Sequence, residues 1–120
     1  CKVFAAEVAT GAPLAPSLAA GTPVRVDYEP SFVDGIGSPE VFPEMFELTR
    51  QLVDGSLVVD LDEVANAVRL LAERARVVPG GARTIKQTTA MAGGAGGGKI
   101  VCVVSGGNID ASKLSAILTG

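Results

Sequence analysis

The residues best suited to chemistry lie near the C-terminus, in the run Lys99-Ile-Val-Cys-Val-Val-Ser-Gly-Gly-Asn-Ile-Asp110. Its apolar half reads as a buried parallel strand. Its polar half, Ser105-Gly106-Gly107-Asn108, falls where such a strand ends and a helix begins. In open α/β sheets, ligands bind beyond the carboxyl ends of the strands, so this cluster is placed to meet one. The serine hydroxyl can donate or accept a hydrogen bond, and the glycines let backbone come close to a flat ligand. The same residues also suit a plain strand-to-helix turn capped by Asn108 or Asp110. The cluster taken alone fits both.

Other chemistries are narrower. The chain has no histidine, which excludes Ser-His-Asp and Cys-His systems, HExxH zinc sites and an imidazole base. Gly93-Gly-Ala-Gly-Gly-Gly98-Lys99 resembles a phosphate-binding loop, but Ile100 stands where a magnesium-binding Ser or Thr is required. That run also leaves a helix and opens a strand, so no helix dipole stands behind its N–H groups. It reads as a surface connection. Cys1 and Cys102 read as reduced thiols of a cytoplasmic protein. The net charge of −3 advertises neither nucleic acid nor anionic lipid as a partner. The apolar runs are too short for a membrane span, and no signal segment opens the chain.

Strands alternating with helices must position the cluster. Lys2 to Val8 reads as a buried strand and Ala12 to Ala20 as a short helix stopped by Gly21. Val24 to Tyr28 is a weaker strand or an extended connection, and Glu29 to Pro39 is a loop carrying Asp34, a turn carboxylate. A helix runs from about Pro39 or Pro43 to Val53, with Ser38 suited to its N-cap and an inward stripe of Phe42, Met45, Phe46, Thr49, Leu52 and Val53. Ser56 to Asp60 is a strand. The helix from Leu61 to about Ala75 has capping-box spacing at Asp60 and Glu63, and buries Val64, Val68, Leu71, Ala72 and Ala75. Thr84 to Ala92 is another short helix. Asp110 caps a last one with Leu114, Ile117 and Leu118 inward. The fold class is α/β: a mostly parallel sheet of three or four strands, flanked by helices. Residues 1–120 form a single incomplete α/β domain. The few strands, and a first residue that is not methionine, suggest a segment of something larger.

Val101-Cys-Val-Val-Ser-Gly-Gly-Asn-Ile-Asp110 resembles the C-terminal signature of threonine and serine dehydratases. These are pyridoxal-phosphate lyases of fold type II, a group that includes serine racemases. Lys2-Val-Phe-Ala-Ala-Glu-Val8, Ser31-Phe-Val-Asp-Gly-Ile-Gly37 and Leu52-Val-Asp-Gly-Ser-Leu-Val-Val59 agree in the same order. The resemblance implies the C-terminal part of the large domain of such an enzyme. It implies pyridoxal 5′-phosphate as cofactor, with Ser105 facing the pyridine nitrogen and Gly106 and Gly107 admitting the ring edge. A hydroxyl there leaves the nitrogen neutral, which favours β-elimination over a long-lived carbanion. The complete enzyme would deaminate threonine or serine to a 2-oxo acid and ammonia, and racemisation of serine at the same carbon is the alternative.

The resemblance also shows what this chain lacks. The Schiff-base lysine and the phosphate loop belong to the N-terminal half in that family, so the expected partner is that segment or a separate chain, and this polypeptide alone is expected to be inactive. A non-catalytic remnant or split subunit is the alternative. The parent enzyme is expected to be a homo-oligomer. Gly80 occupies the place of a glutamate in relatives, and residues 84–90 are more polar than their counterparts, with Lys86 needing a partner if buried. Glu7 matches a cation ligand of some relatives. Its companion aspartate is replaced by Pro13, so Glu7 is a weak metal candidate and no metal is expected.

Overall fold

The computed structural model describes residues 1–33, 35–80, 84, 85, 88, 90, 93–104 and 107–120. Its sheet has two parallel strands, β1 (Phe4–Val8) and β2 (Gly55–Val59), in register from Phe4 opposite Gly55 to Val8 opposite Val59. A parallel pair needs a crossover. Here the crossover contains helix α1 (Leu14–Ala20), a long loop and helix α2 (Pro43–Leu52). Helix α3 (Leu61–Leu70) follows β2 and widens into a π-helical turn over Leu71–Ala75. Helix α4 (Ala111–Thr119) closes the chain.

Local sequence explains most of these boundaries. Gly21 ends α1 with φ of 72°, a left-handed cap that costs glycine nothing. Asp60 and Glu63 form the expected capping box: Glu63 N–H donates to the Asp60 carboxylate at 2.8 Å, and Asp60 N–H donates to the Glu63 carboxylate at 3.0 Å. Arg76 ends the π-helical turn with φ of 57°, a conformation that glycine would adopt with less strain. The core is one cluster of Val8, Val33, Val59, Val64 and Ile85, with Ala6, Phe32 and Leu61 packed against it. Thr84 and Thr88 are buried, yet each hydroxyl donates to a backbone carbonyl, that of Gly80 and Thr84 respectively, at 3.2 Å. That is how this polar stretch is accommodated.

Several expectations need correction. Residues 99–104 form no strand, and the sheet has two strands among the described residues, not three or four. A strand exists through its neighbours' hydrogen bonds, and neither β1 nor β2 pairs with this run. Val101 and Val103 are therefore 90% and 60% exposed instead of buried. Helix α2 starts at Pro43 with Phe42 as its cap; the Ser38 hydroxyl turns onto the Glu40 carbonyl at 2.8 Å instead. Its inward face is narrower than the stripe suggested: Phe46 is buried, whereas Phe42, Met45 and Leu52 are exposed. Asp110 makes no capping hydrogen bond and instead faces Lys113 across 3.5 Å, and Leu118 points outward. Ala75 is exposed as well, because the wider π turn rotates it off the buried face of α3. Val24 to Tyr28 is an extended connection, held where Val26 N–H donates to Pro39 O at 2.8 Å. Asp34 and Lys86 lie outside the described residues.

The two caps should separate in denaturation experiments. Asp60→Ala is expected to cost about 1 kcal/mol by losing the capping box. Asp110→Ala, which removes one exposed ion pair, should stay within about 0.5 kcal/mol.

Candidate functional site

Glu7 lies in β1, on the sheet face turned toward α1. Its Oε1 accepts the Leu14 N–H at 2.8 Å; its Oε2 accepts the Ala15 N–H at 2.9 Å and the Ser56 hydroxyl at 2.6 Å. Pro13 precedes these two donors and leaves the first turn of α1 without a side-chain cap of its own. A remote carboxylate therefore fills the capping role, in the polarity that a helix start favours. The Ser56 bond ties the same oxygen to β2. Both Glu7 oxygens are engaged by protein donors, which describes a structural anchor. Among the described residues no group of three His, Cys, Asp or Glu side chains comes together.

The sequence-predicted cofactor cluster is only partly described. Ser105 and Gly106 lie outside the described residues. Gly107 and Asn108 are exposed and lie against the segment that follows the π-helical turn. A Cβ on Gly107 would stand 3.0 Å from the Val78 carbonyl oxygen, so two backbones approach closely there. A Cβ on Gly80, which is itself buried, would stand 3.5 Å from the Asn108 carbonyl oxygen. The fold thus brings residues 78–80 and 107–108 together, a juxtaposition that sequence reasoning missed. Two glycine-containing breaks 27 residues apart were its only signal.

Helix α4 holds the far side of this turn. Arg69, in the last turn of α3, donates from Nε at 3.2 Å and from Nη2 at 2.7 Å to the Ile117 carbonyl. Its Nη1 donates to Asn66 Oδ1 at 2.8 Å, which orients the guanidinium. Positive charge at the C-terminal carbonyls of α4 is favourable, and Ile117 buries its side chain at the same contact.

Next to the turn, residues 1–6, Leu57 and residues 99–103 line an open cavity of about 610 Å³. Lys2 and Lys99 stand on its wall. Among the described residues, Cys1 and Cys102 form no disulfide. No helix among the described residues is long and apolar enough to cross a membrane.

Comparison with known proteins gives this geometry a context. Residues 1–106 match the family model described as pyridoxal-phosphate dependent enzyme. An L-threonine ammonia-lyase of Thermotoga maritima is 34% identical over 103 residues, covering 85% of this chain and 26% of that protein. A second L-threonine ammonia-lyase, from Geobacter sulfurreducens, is 30% identical and covers 98% of this chain and 30% of its own length. Among solved structures, maize serine racemase superposes with a TM-score of 0.83 at 25% identity, covering 98% of this chain and 39% of that one. The chain therefore spans roughly a quarter to two fifths of the length of these relatives.

Three substitutions test the geometry. Glu7→Ala is expected to destabilise by about 2–4 kcal/mol, because two helix N–H groups and a serine lose a charged acceptor. At the turn, Gly107→Ala should cost about 1–3 kcal/mol through the contact with Val78. Gly80→Ala should be neutral or stabilising by about 0.5 kcal/mol, since a Cβ there meets Asn108 at ordinary van der Waals distance and its φ is not in the left-handed region. Denaturant midpoints read all three.

Proposed function

We propose a function from one premise: the chain belongs to the family of pyridoxal-phosphate-dependent enzymes, of the threonine dehydratase and serine racemase kind with fold type II. In our reading it is a segment of a threonine/serine ammonia-lyase and supplies the wall against the pyridine side of the cofactor. The observation that carries this reading is the exposed turn at Gly107 and Asn108. It directly follows the Ser105-Gly106 pair and is braced by residues 78–80.

The described part of the turn fits one wall of a flat aromatic group. Gly107 and Asn108 are open to solvent, no side chain projects from Gly107, and Gly80 leaves room beside the Asn108 carbonyl. When bound, pyridoxal phosphate supplies an electron sink for negative charge developing at a substrate α-carbon. The chain's own residues do the rest of this wall's work. Ser105 would donate a single hydrogen bond to the pyridine nitrogen and carries no formal charge, so that nitrogen would stay unprotonated. Gly106 and Gly107 would let the backbone lie against the ring edge. Arg69 and Ile117 keep α4, and with it the start of the turn's following helix, against α3.

The complete protein would release ammonia and a 2-oxo acid from threonine or serine, with the cofactor-anchoring lysine and the phosphate loop supplied by further polypeptide. We place it in the cytoplasm, in keeping with two cysteines outside any disulfide, and as a homo-oligomer. The similarity to maize serine racemase favours a second reading, racemisation of serine at the same carbon. Gly80, where relatives carry an acid, favours a third, a non-catalytic subunit.

Assays of the full-length protein with threonine and serine decide among these. Ammonia release marks the lyase, D-serine marks the racemase, and neither product marks the non-catalytic subunit. Ser105→Ala is expected to lower kcat about tenfold, the loss of one hydrogen bond to the reacting system. Ser105→Asp should shift the absorption of the bound cofactor by protonating its ring nitrogen. Unchanged rate and spectrum in both variants would overturn the role given to Ser105.

A further inference from the structure

The segment that braces the turn at Gly107 and Asn108 begins at a residue in an uncommon conformation. Arg76 has φ of 57° and ψ of 31°, and among the described residues it is the one non-glycine with positive φ. For a residue with a Cβ that left-handed region is sparsely used and costly. The chain enters it from a second uncommon feature, the π-helical turn over Leu71–Ala75, a form found mostly as single turns and often at functional sites. Rare backbone states persist only where their surroundings hold them.

Here a carbonyl holds one side and a buried proline the other. The carbonyl of Leu71, itself a buried residue, accepts the Arg76 N–H and, at 3.3 Å, the Val77 N–H. A left-handed residue at a helix end is what turns the following N–H groups back onto the last carbonyls. Pro79 is fully buried, and a residue before proline is confined to extended backbone, which leaves Val78 one direction. Between these anchors Arg76, Val77 and Val78 are exposed. The segment meets the turn through backbone: the Val78 carbonyl oxygen lies 3.0 Å from where a Cβ on Gly107 would stand, and Gly80 lies beside the Asn108 carbonyl.

We propose that Arg76 is a positioning residue for the reaction, acting through its left-handed backbone and not through its guanidinium. It turns the chain out of the π-helical turn at the angle that brings Val78 and Gly80 against Gly107 and Asn108, and so sets how far the turn stands from the cofactor ring. This extends, and rests on, the reading of that turn as part of the cofactor wall. The leverage is large: four residues reach up to about 13 Å, so a change of about 10° at Arg76 would carry Gly80 by up to about 2 Å. A binding wall tolerates a displacement of only about 0.5 Å.

The test uses the full-length protein and compares Arg76→Val, whose β-branched side chain opposes the left-handed region, with Arg76→Gly and Arg76→Asn, which enter it readily, and with Arg76→Lys, which keeps the charge. The first readout needs no cofactor: hydrogen exchange at the Ile109 amide, which donates to Gly107 O at 3.1 Å within the turn. Arg76→Val is expected to speed this exchange about tenfold while the amides of α3 stay protected. Arg76→Gly and Arg76→Asn should hold it within about twofold of the unaltered protein. The second readout is the absorption of bound pyridoxal phosphate, which should shift in Arg76→Val and stay in place in the glycine and asparagine variants. If Arg76→Val fails to fold, the milder pair decides: asparagine must hold the turn at least as well as lysine. An Ile109 amide indifferent to Arg76→Val overturns the proposal, and so does an unshifted absorption beside a faster Ile109 amide. A turn kept by lysine and lost with both glycine and asparagine also overturns it, and makes the guanidinium the acting group. If Ile109 responds as expected while the unaltered protein binds no pyridoxal phosphate, the cofactor reading falls and the hold of Arg76 on the turn stands.

Discussion

The Glu7 carboxylate is the interaction on which the fold of the first sixty residues depends. One side chain from β1 satisfies two orphan N–H groups of α1 and the hydroxyl of Ser56 in β2. A strand, the helix that leaves it and the strand that returns beside it thus share a single charged acceptor. Without that acceptor α1 would begin at Pro13 with no side-chain cap, and a seven-residue helix is too short to persist on its own. The parallel register of β1 and β2 then fixes which backbone groups face outward.

Local signals were legible in the sequence because their physics is local. The Asp60 and Glu63 box, the Gly21 cap and the loop over residues 29–39 each depend on residues within a few positions of one another. The family resemblance was legible too, since it rests on ordered motifs. What the sequence did not disclose required partners far along the chain. Glu7 read as no more than a weak metal candidate, and its structural role stayed hidden because its donors at positions 14, 15 and 56 could not be assigned to it from spacing. The α2 stripe read as core because apolar periodicity gives an apolar face but not its covering; Phe46 found a core and Met45 and Leu52 did not. Residues 99–104 carry the composition of a buried strand, yet burial is a property of neighbours.

The proposed cofactor wall follows the same logic. Gly107 and Asn108 take their place from residues 78–80 on one side and from α4 on the other, and α4 is fixed by the two bonds from Arg69 to Ile117 O. Residues 78–80 and Arg69, which anchors α4, are both far in sequence from the turn they help to hold. The glycine at 107 has a packing reason of its own, the nearby Val78 carbonyl, so glycine there is evidence of close backbone approach before it is evidence of a ligand.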